Sequence, residues 1–410
     1  MRSQPLVAAG CAALLAAAVG CGSKGSGGGA GGATSGDTLT LGASLSLTGS
    51  LAREGQLTKE GYQLCQDKVN AKGGVPVGGK KLKLKLKYQD DKSQPDTAAQ
   101  IVDSYNDQGV KLILGPYSSS LTEAAAAVIE RDGQVMVDSA GADNKIFDHG
   151  YKRTFAVLSP ATKYAASMVK AVDDLAKPKP KTIGILSADD GFSKTVAQGA
   201  IATAKKRGLK VVAKEYFPEG STDVSSSLTK IRGKKPDVVL GSVHVAEGIA
   251  IIKQASELGV RPMGFAESVA PPTPDFAKTL GKKANGVLGS SQWTPQVTGS
   301  DKYFGTAEDY AKAIKRKFGH RPDYHDAEAS AGCLALVLAV EKAGSTDPGK
   351  VRDALAALNT DTFFGHVQFN DKGMNVYKPM EVIQVQDGEV TTVWPKKDAE
   401  AEMIWPATQE

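Results

Sequence analysis

Short apolar runs alternate with longer segments of helical periodicity along the first part of the chain. This alternation predicts a doubly wound α/β unit, because strands that are joined through helices form parallel sheets. The clearest run, residues 110–114, ends at Gly115 and Pro116 and is followed by serines and an alanine-rich helical segment. The predicted elements are strands at 38–45, 81–88, 110–114 and near Val135 and Phe155, with helices at 56–70 and 95–106 and after residue 116.

The same pattern restarts at Lys181, which predicts a second lobe of similar construction. A helical tail with alanine-rich faces follows from Asp301 to Leu358, and two strands after it are expected to return to a sheet. The predicted elements of this part are strands at 182–187, 210–216, 237–241, 262–265, 364–369 and 377–385, with helices at 192–206, 224–232 and 246–258. The fold class is therefore α/β, with two doubly wound parallel-sheet lobes.

Residues 81–88 alternate strictly between lysine and an apolar or aromatic residue. Strands inside a parallel sheet are usually apolar on both faces, so this alternation favours an edge strand whose charges discourage pairing with other molecules. The alternative is a basic patch that faces a membrane.

The chain has 410 residues, which is enough for about two domains. Its formal net charge of +5 is small beside 50 basic and 45 acidic residues, so the composition indicates no nucleic-acid partner. We also expect no metal and no cofactor. The densest group of metal-binding residue types, between His320 and Glu328, is better explained as a loop and an aspartate that caps the next helix.

The N-terminal segment predicts export and a lipid anchor. Residues 1–20 have one early arginine and an apolar run of signal-peptide length, and they end before Cys21 in a pattern that resembles a bacterial lipobox, although Ala18 stands where leucine is usual. Residues 21–36 are rich in glycine and serine and would form a flexible tether with a reach of roughly 20 Å. The alternative is plain secretion with an incidental cysteine.

The turn from Gly115 to Ser120 is the first candidate for a binding site. Ligands collect at the carboxyl ends of parallel strands, and a helix start offers free N–H groups to an anion. A small carboxylate held by Ser118 and Ser119 is therefore one hypothesis. The alternative is that these serines only cap their own helix.

Five segments in the right order resemble the branched-chain amino acid type of periplasmic binding protein, the leucine, isoleucine and valine receptors of ABC importers. The resemblance extends over residues 37–395, and these segments are 71–75, 88–92, 114–120, 364–365 and 369–373. It implies a type I fold in which three crossover strands, near residues 155–159, 290–293 and 369, join two lobes that close on a ligand. The implied first lobe comprises residues 37–157 and 291–361, and the second comprises residues 158–290 and 362–410.

The resemblance also implies roles for individual residues. Ser118 would bind a ligand carboxylate, the backbone carbonyl of Ala140 would accept from the ligand's ammonium, and Ala142 stands where the family has a hydroxyl for that ammonium. Phe192 and Val243 occupy positions that are often aromatic, and Glu54 replaces a tyrosine. The acidic partner of the ammonium would be Glu267, and a shift of the match by one residue would place Ala266 there instead.

Ala142 removes one acceptor for the ammonium, so the implied site departs from a standard leucine site. Either Glu54, His244 or Asp190 takes over this role, or the ligand is an amide, a carboxylate or a larger amino acid. The alternative for these three residues is a solvated rim of the cleft.

Cys65 and Cys333 lie on helices that the resemblance assigns to one lobe. Outside the cytoplasm they either form one disulfide or are two small buried residues.

The sequence thus predicts an extracytoplasmic, lipid-anchored and monomeric receptor that delivers a small solute to an ABC permease and has no catalytic residues. The alternatives are a sensor for a signalling partner and an extracytoplasmic hydrolase.

Overall fold

The computed structural model of the protein describes residues 34–407. The predicted signal peptide of residues 1–20, the predicted lipidation site Cys21 and most of the predicted tether lie outside the described residues. Among the helices of residues 34–407, none is both long and apolar enough to cross a bilayer.

In the described part of the chain, seven strands form the first sheet, and its inner strands run parallel. Their order is β3-β4-β2-β5-β6-β7, with the short β1 added to β2. The strands are β1 (Thr34–Ser35), β2 (Thr38–Leu45), β3 (Val75–Val77), β4 (Lys80–Asp90), β5 (Leu112–Leu114), β6 (Val135–Asp138) and β7 (Thr154–Ala156). Three helices alternate with them, namely α1 (Ala52–Ala71), α2 (Pro95–Asp107) and α3 (Ser119–Asp132).

The second sheet is built by the same alternation of strand and helix, and its first five strands are parallel. These strands are β8 (Thr182–Ala188), β9 (Lys210–Phe217), β10 (Val238–Ser242), β11 (Gly264–Glu267) and β12 (Leu288–Ser291). The helices are α4 (Thr162–Leu175), α5 (Gly191–Arg207), α6 (Ser225–Lys234), α7 (Val245–Glu257) and α8 (Pro274–Leu280).

The tail contains helices and two small hairpins, of which one is β13 (Ser300–Asp301) with β14 (Gly305–Thr306). Its helices are α9 (Ala307–Phe318), α10 (Tyr324–Ala343) and α11 (Pro348–Ala356). Helix α10 packs against α1 and against β5 and β6, so this part of the tail returns to the first sheet. The second hairpin joins β15 (Asn359–Thr362) to β16 (Gly365–Gln368).

The last two strands, β17 (Glu381–Gln386) and β18 (Glu389–Trp394), complete the second sheet in the order β18-β17-β12-β11-β10-β8-β9. The chain therefore passes between the two sheets three times: after β7, after β12 and before β17. One continuous buried cluster includes residues that belong to both sheets, such as Leu41 and Leu240. The residue boundaries of the two lobes stay a prediction.

Three predictions about elements need correction. Helix α4 was not predicted, and the strand predicted at 364–369 pairs in the β15–β16 hairpin instead of joining a large sheet. The ring of Phe363 fixes that hairpin, because it stacks on Tyr310 of α9 with ring centroids 4.2 Å apart. The lysine-rich β4 is not the outermost strand over its whole length, since β3 pairs with its first residues, while its lysines face solvent as expected.

Candidate functional site

The turn after β5 leaves a serine hydroxyl available instead of using it as a helix cap. Ser118 stands at the N-cap of α3 in an extended conformation, yet its side chain makes no capping hydrogen bond. Its hydroxyl lies 3.2 Å from that of Ser120. Ser119 accepts a hydrogen bond from the backbone N–H of Asp143 at 3.1 Å. Because the first N–H groups of a helix also lack partners within the helix, this turn can receive a ligand oxygen.

A small cavity lies directly against this turn. Side chains that follow strands of both sheets contribute to its wall, as expected for ligand sites at the carboxyl ends of parallel strands. The lining residues are Tyr117, Ser118, Ser119, Ala140, Tyr164, Phe192, His244, Val269, Tyr324 and Glu328.

Five of the residues that the sequence singles out line this cavity, and five do not. Those that line it are Ser118, Ser119, Ala140, Phe192 and His244. Those that do not are Glu54, Ala142, Asp190, Val243 and Glu267.

The loop after β6 explains why Ala140 and Ala142 differ. Oδ1 of Asp138 accepts hydrogen bonds from the backbone N–H groups of Ala140, at 3.0 Å, and Gly141, at 2.7 Å, and thereby bends the loop. Ala140 then faces the cavity, while Ala142 packs into the hydrophobic core. Burial raises the pKa of Asp138 to about 7, although these bonds oppose the shift.

A buried charged pair stands beside the cavity on the side of the second sheet. His244 Nε2 lies 3.7 Å from Asp190 Oδ2. Burial alone would lower the pKa of His244, but Asp190, Glu247 and Glu54 raise it to about 10. Burial would raise the pKa of Asp190, but His244 and the backbone N–H of Ser193 lower it to about 2. His244 is thus a cation at neutral pH, and its Nδ1 donates to the Tyr117 hydroxyl at 3.1 Å.

Glu54 serves as a contact between the two sheets and not as a wall of the cavity. It lies at the start of α1, and its Oε1 accepts a hydrogen bond from the backbone N–H of Val245, the first residue of α7, at 3.1 Å. Asp143 makes a similar contact by accepting from the Thr195 hydroxyl of α5 at 2.8 Å. Arg53 and Asp275 form an ion pair between α1 and α8. These contacts hold the two lobes against each other.

Glu267 and Val243 lie behind the second-sheet wall. Within residues 34–407, neither carboxylate oxygen of Glu267 has a hydrogen-bond partner. Burial, with the nearby charge of Glu247, raises the pKa of Glu267 well above the usual value. A Cβ on Gly248 would come within 2.6 Å of Glu267 Oε2, so the carboxyl packs tightly beneath α7. Val243 is fully buried in a separate hydrophobic cluster of the second sheet.

Three groups near the start of α10 could together hold a cation. Atoms of Glu60, His320 and Asp326 lie within 4.8 Å of one another. His320 Nε2 lies 2.6 Å from Glu60 Oε2, and this partner raises the pKa of His320 to about 9, so the two form an ion pair without a metal. Asp323 caps α10 and accepts from the backbone N–H of His325 at 2.7 Å, as the sequence predicts. The absence of a metal stays a prediction.

A family model described as periplasmic binding protein matches residues 38–389. The chain belongs to the periplasmic binding protein family. Members of this family are substrate-binding proteins, and membership implies an extracytoplasmic location. Leu/Ile/Val-binding protein homolog 8 of Brucella abortus (strain 2308) is 28% identical over 360 residues, which cover 83% of this chain and 86% of that protein. Leu/Ile/Val-binding protein homolog 7 of Brucella suis biovar 1 (strain 1330) is 24% identical, with 84% and 88% covered.

Solved structures of this family share the fold. The leucine binding protein LivK from Thermotoga maritima MSB8 aligns with a TM-score of 0.76 at 22% identity, covering 86% of this chain and 97% of LivK. The branched-chain amino acid transporter substrate binding protein LivJ from Streptococcus pneumoniae, crystallised with isoleucine, also gives 0.76, at 24% identity, covering 90% of this chain and all of LivJ (100%). The fold is therefore the type I periplasmic binding protein fold.

Sequence reasoning missed five residues that line the cavity of this periplasmic binding protein. Three of them stood inside segments that had drawn attention for other reasons: Tyr117 in the serine turn, and Tyr324 and Glu328 in the stretch from His320 to Glu328. The other two are Tyr164 and Val269. Tyr164 lies on α4, which the apolar pattern did not reveal, and a single sequence offers no signal that Val269 or Tyr324 faces a cavity.

Proposed function

We propose that this protein is a solute-binding receptor of an ABC importer. It captures a small amino acid or a related small polar solute between its two lobes and delivers that solute to a membrane permease. The observation that carries the proposal is the cavity at the serine turn, to which both sheets contribute. Its wall offers hydroxyl groups for a ligand oxygen and aromatic rings for an apolar part.

Within this proposal Ser118 and Ser119 bind a carboxylate or carbonyl oxygen, and Phe192 and His244 close the opposite wall. The first lobe comprises residues 37–157 and 291–361, and the second comprises residues 158–290 and 362–410. Hinge motion between the two lobes admits the ligand. The protein acts as a monomer. Diacylglycerol on Cys21 anchors it, so Cys21→Ala should move the mature protein from the membrane fraction to the soluble fraction.

A thermal-shift screen of the protein without residues 1–36 tests the proposal. The solutes are amino acids, amides, short-chain acids and urea. A solute at 100 times its dissociation constant should add about 2.7 kcal/mol of stability, which is a shift of several degrees in Tm. If no solute raises the Tm and one is instead turned over, the receptor function is wrong.

Ser118→Ala assigns any binding to this cavity. Loss of a hydrogen bond to a charged ligand oxygen costs about 1.5–3 kcal/mol, so we expect the dissociation constant to rise about ten- to a hundredfold. Ser225→Ala is the matched control, because Ser225 also begins a helix but lies outside the cavity and bonds Asp223. Isothermal titration calorimetry measures both variants. An equal loss of ligand affinity in both variants would argue against binding at the serine turn.

A further inference from the structure

Glu328 presents a buried carboxyl group to the cavity. It lies in the second turn of α10, is 2% exposed and lines the same cavity as Ser118 and Ser119. Its Oε2 is buried and unpartnered among residues 34–407. Burying a polar group without a hydrogen-bond partner costs free energy. A hydrogen-bond donor on the ligand would remove this cost at Glu328.

The other acidic groups around the cavity already have partners or lie elsewhere. Glu54 accepts from Val245, and Asp190 is paired with His244 and accepts from the backbone N–H of Ser193. Glu267 is orphaned as well, but it lies beneath α7 and does not line the cavity. Among the described residues, Glu328 is therefore the carboxyl group that combines a place in the cavity wall with a buried acceptor oxygen, Oε2, that has no hydrogen-bond partner.

The charges around Glu328 favour a cation beside it. Burial raises the pKa of Glu328 well above its usual value, and the negative charges of Asp138 and Asp323 raise it further, while Lys378 opposes them. Lys378 offsets the negative charge of the Glu328 carboxylate only in part. A ligand ammonium beside Glu328 would offset the remainder. The opposite wall is less suitable, because His244 is itself a cation and would repel an ammonium.

We propose that Glu328 is the acceptor for an ammonium group of the solute, whose carboxylate is held by Ser118 and Ser119. This inference rests on the proposed function. It moves the acidic partner of the ammonium from the second sheet, where Glu267 was expected, to helix α10 of the tail. It also supplies the acceptor that Ala142 cannot offer. The receptor then selects solutes that carry both a carboxylate and an ammonium group over their deaminated acids.

The wild-type protein provides the first test. Calorimetric titrations at pH 7 compare L-alanine, L-valine and L-leucine with propionate, 3-methylbutanoate and 4-methylpentanoate, which lack only the amino group. We expect the tightest amino acid to bind at least about tenfold more tightly than its deaminated acid. If the acids bind equally well, the ammonium proposal is wrong while the receptor function stands. If none of these probes binds and the wider screen also finds no solute, the receptor function itself fails.

Glu328→Gln provides the second test, with Glu267→Gln as the matched control. Both replace an orphaned buried carboxyl by an amide of equal shape, but only the first lies in the cavity. Glu328→Gln should weaken binding of the tightest amino acid about ten- to a hundredfold and leave its deaminated acid within threefold. Glu267→Gln should leave both within threefold. The proposal is overturned if Glu328→Gln binds the amino acid like the wild type. Circular dichroism and Tm establish whether both variants are folded. If one variant does not fold, the titrations of the wild type with amino acids and deaminated acids still test the proposal.

Discussion

His244, Asp190 and Tyr117 form one connected polar group in which every member is almost completely buried. The sequence marked His244 and Asp190 as candidate ligand-binding residues but gave no sign that they lie beside each other and beside Tyr117. The structure brings them together from both sheets, and their proximity makes a histidine that is charged at neutral pH. At the residue scale, chemistry is therefore set by neighbours that are distant along the chain.

His244→Gln should lower the free energy of unfolding by about 3–5 kcal/mol at pH 6, because it leaves Asp190 buried without its partner. The folded pKa of His244, about 10, exceeds the unfolded value of 6.5, so its stabilisation is complete below pH 6.5 and is lost as the pH rises towards 10. The folded pKa of Asp190, about 2, lies below 3.8, so its contribution is present above pH 3.8.

The difference between wild type and variant should accordingly be greatest between about pH 4 and 6.5 and much smaller at pH 9.5. Urea unfolding at pH 6 and pH 9.5 measures it. His149→Gln is the control, since the side chain of His149 is 44% exposed and its pair with Glu123 should contribute at most about 1 kcal/mol. A difference that does not change with pH would show that His244 is not charged in the folded protein.

At the scale of secondary-structure elements, the close contact between helices α4 and α5 shapes the cavity wall. Their contact depends on Gly199 of α5, where a Cβ would come within 2.1 Å of the backbone carbonyl oxygen of Thr162. This close approach positions Tyr164 and Phe192, whose rings meet edge to face with centroids 5.2 Å apart in the wall of the cavity. The glycine that permits the contact looked unremarkable in the helical pattern of the sequence.

Gly199→Ala should lower the free energy of unfolding by about 1–3 kcal/mol or more, because the new methyl group has no space. Gly233→Ala in α6 is the matched control. A Cβ there meets no atom within 4 Å, so the higher helix propensity of alanine should stabilise the protein by about 0.5–1 kcal/mol. Denaturant unfolding measures both variants. Equal effects of the two substitutions would contradict the close packing of α4 on α5.

At the scale of the whole molecule, the tail helix α10 connects the cavity to the first sheet. A disulfide joins Cys333 of α10 to Cys65 of α1, two residues that are 268 positions apart and have Cα atoms 6.3 Å apart. The same helix contributes Tyr324 and Glu328 to the cavity wall. The crosslink therefore supports the placement of α10 in the site as well as the stability of the fold.

Replacing both cysteines by alanine should lower the free energy of unfolding by about 2–5 kcal/mol, because a crosslink over a long loop restricts the unfolded chain. A reductant should destabilise the wild type by a similar amount and leave the double variant unchanged. Denaturant unfolding with and without the reductant measures this. Alkylation of both cysteines in the mature, unreduced protein, detected by mass, would show that the bond does not form.

The alternation of strands and helices, the serine turn and the family could all be predicted from the sequence, because they depend on local periodicity and on short segments in a fixed order. The sequence also supplied half of the candidate residues that line the cavity, including Ser118 and Ser119. The positions of the other candidate residues became clear only from the packing of the folded chain. Ala142 and Val243 are buried in the hydrophobic clusters, and Glu54 bonds the second lobe instead of lining the cavity. Glu328, on a distant helix, lines the cavity. These outcomes depend on which faces of distant elements pack together, and a single sequence does not encode that packing in any local pattern.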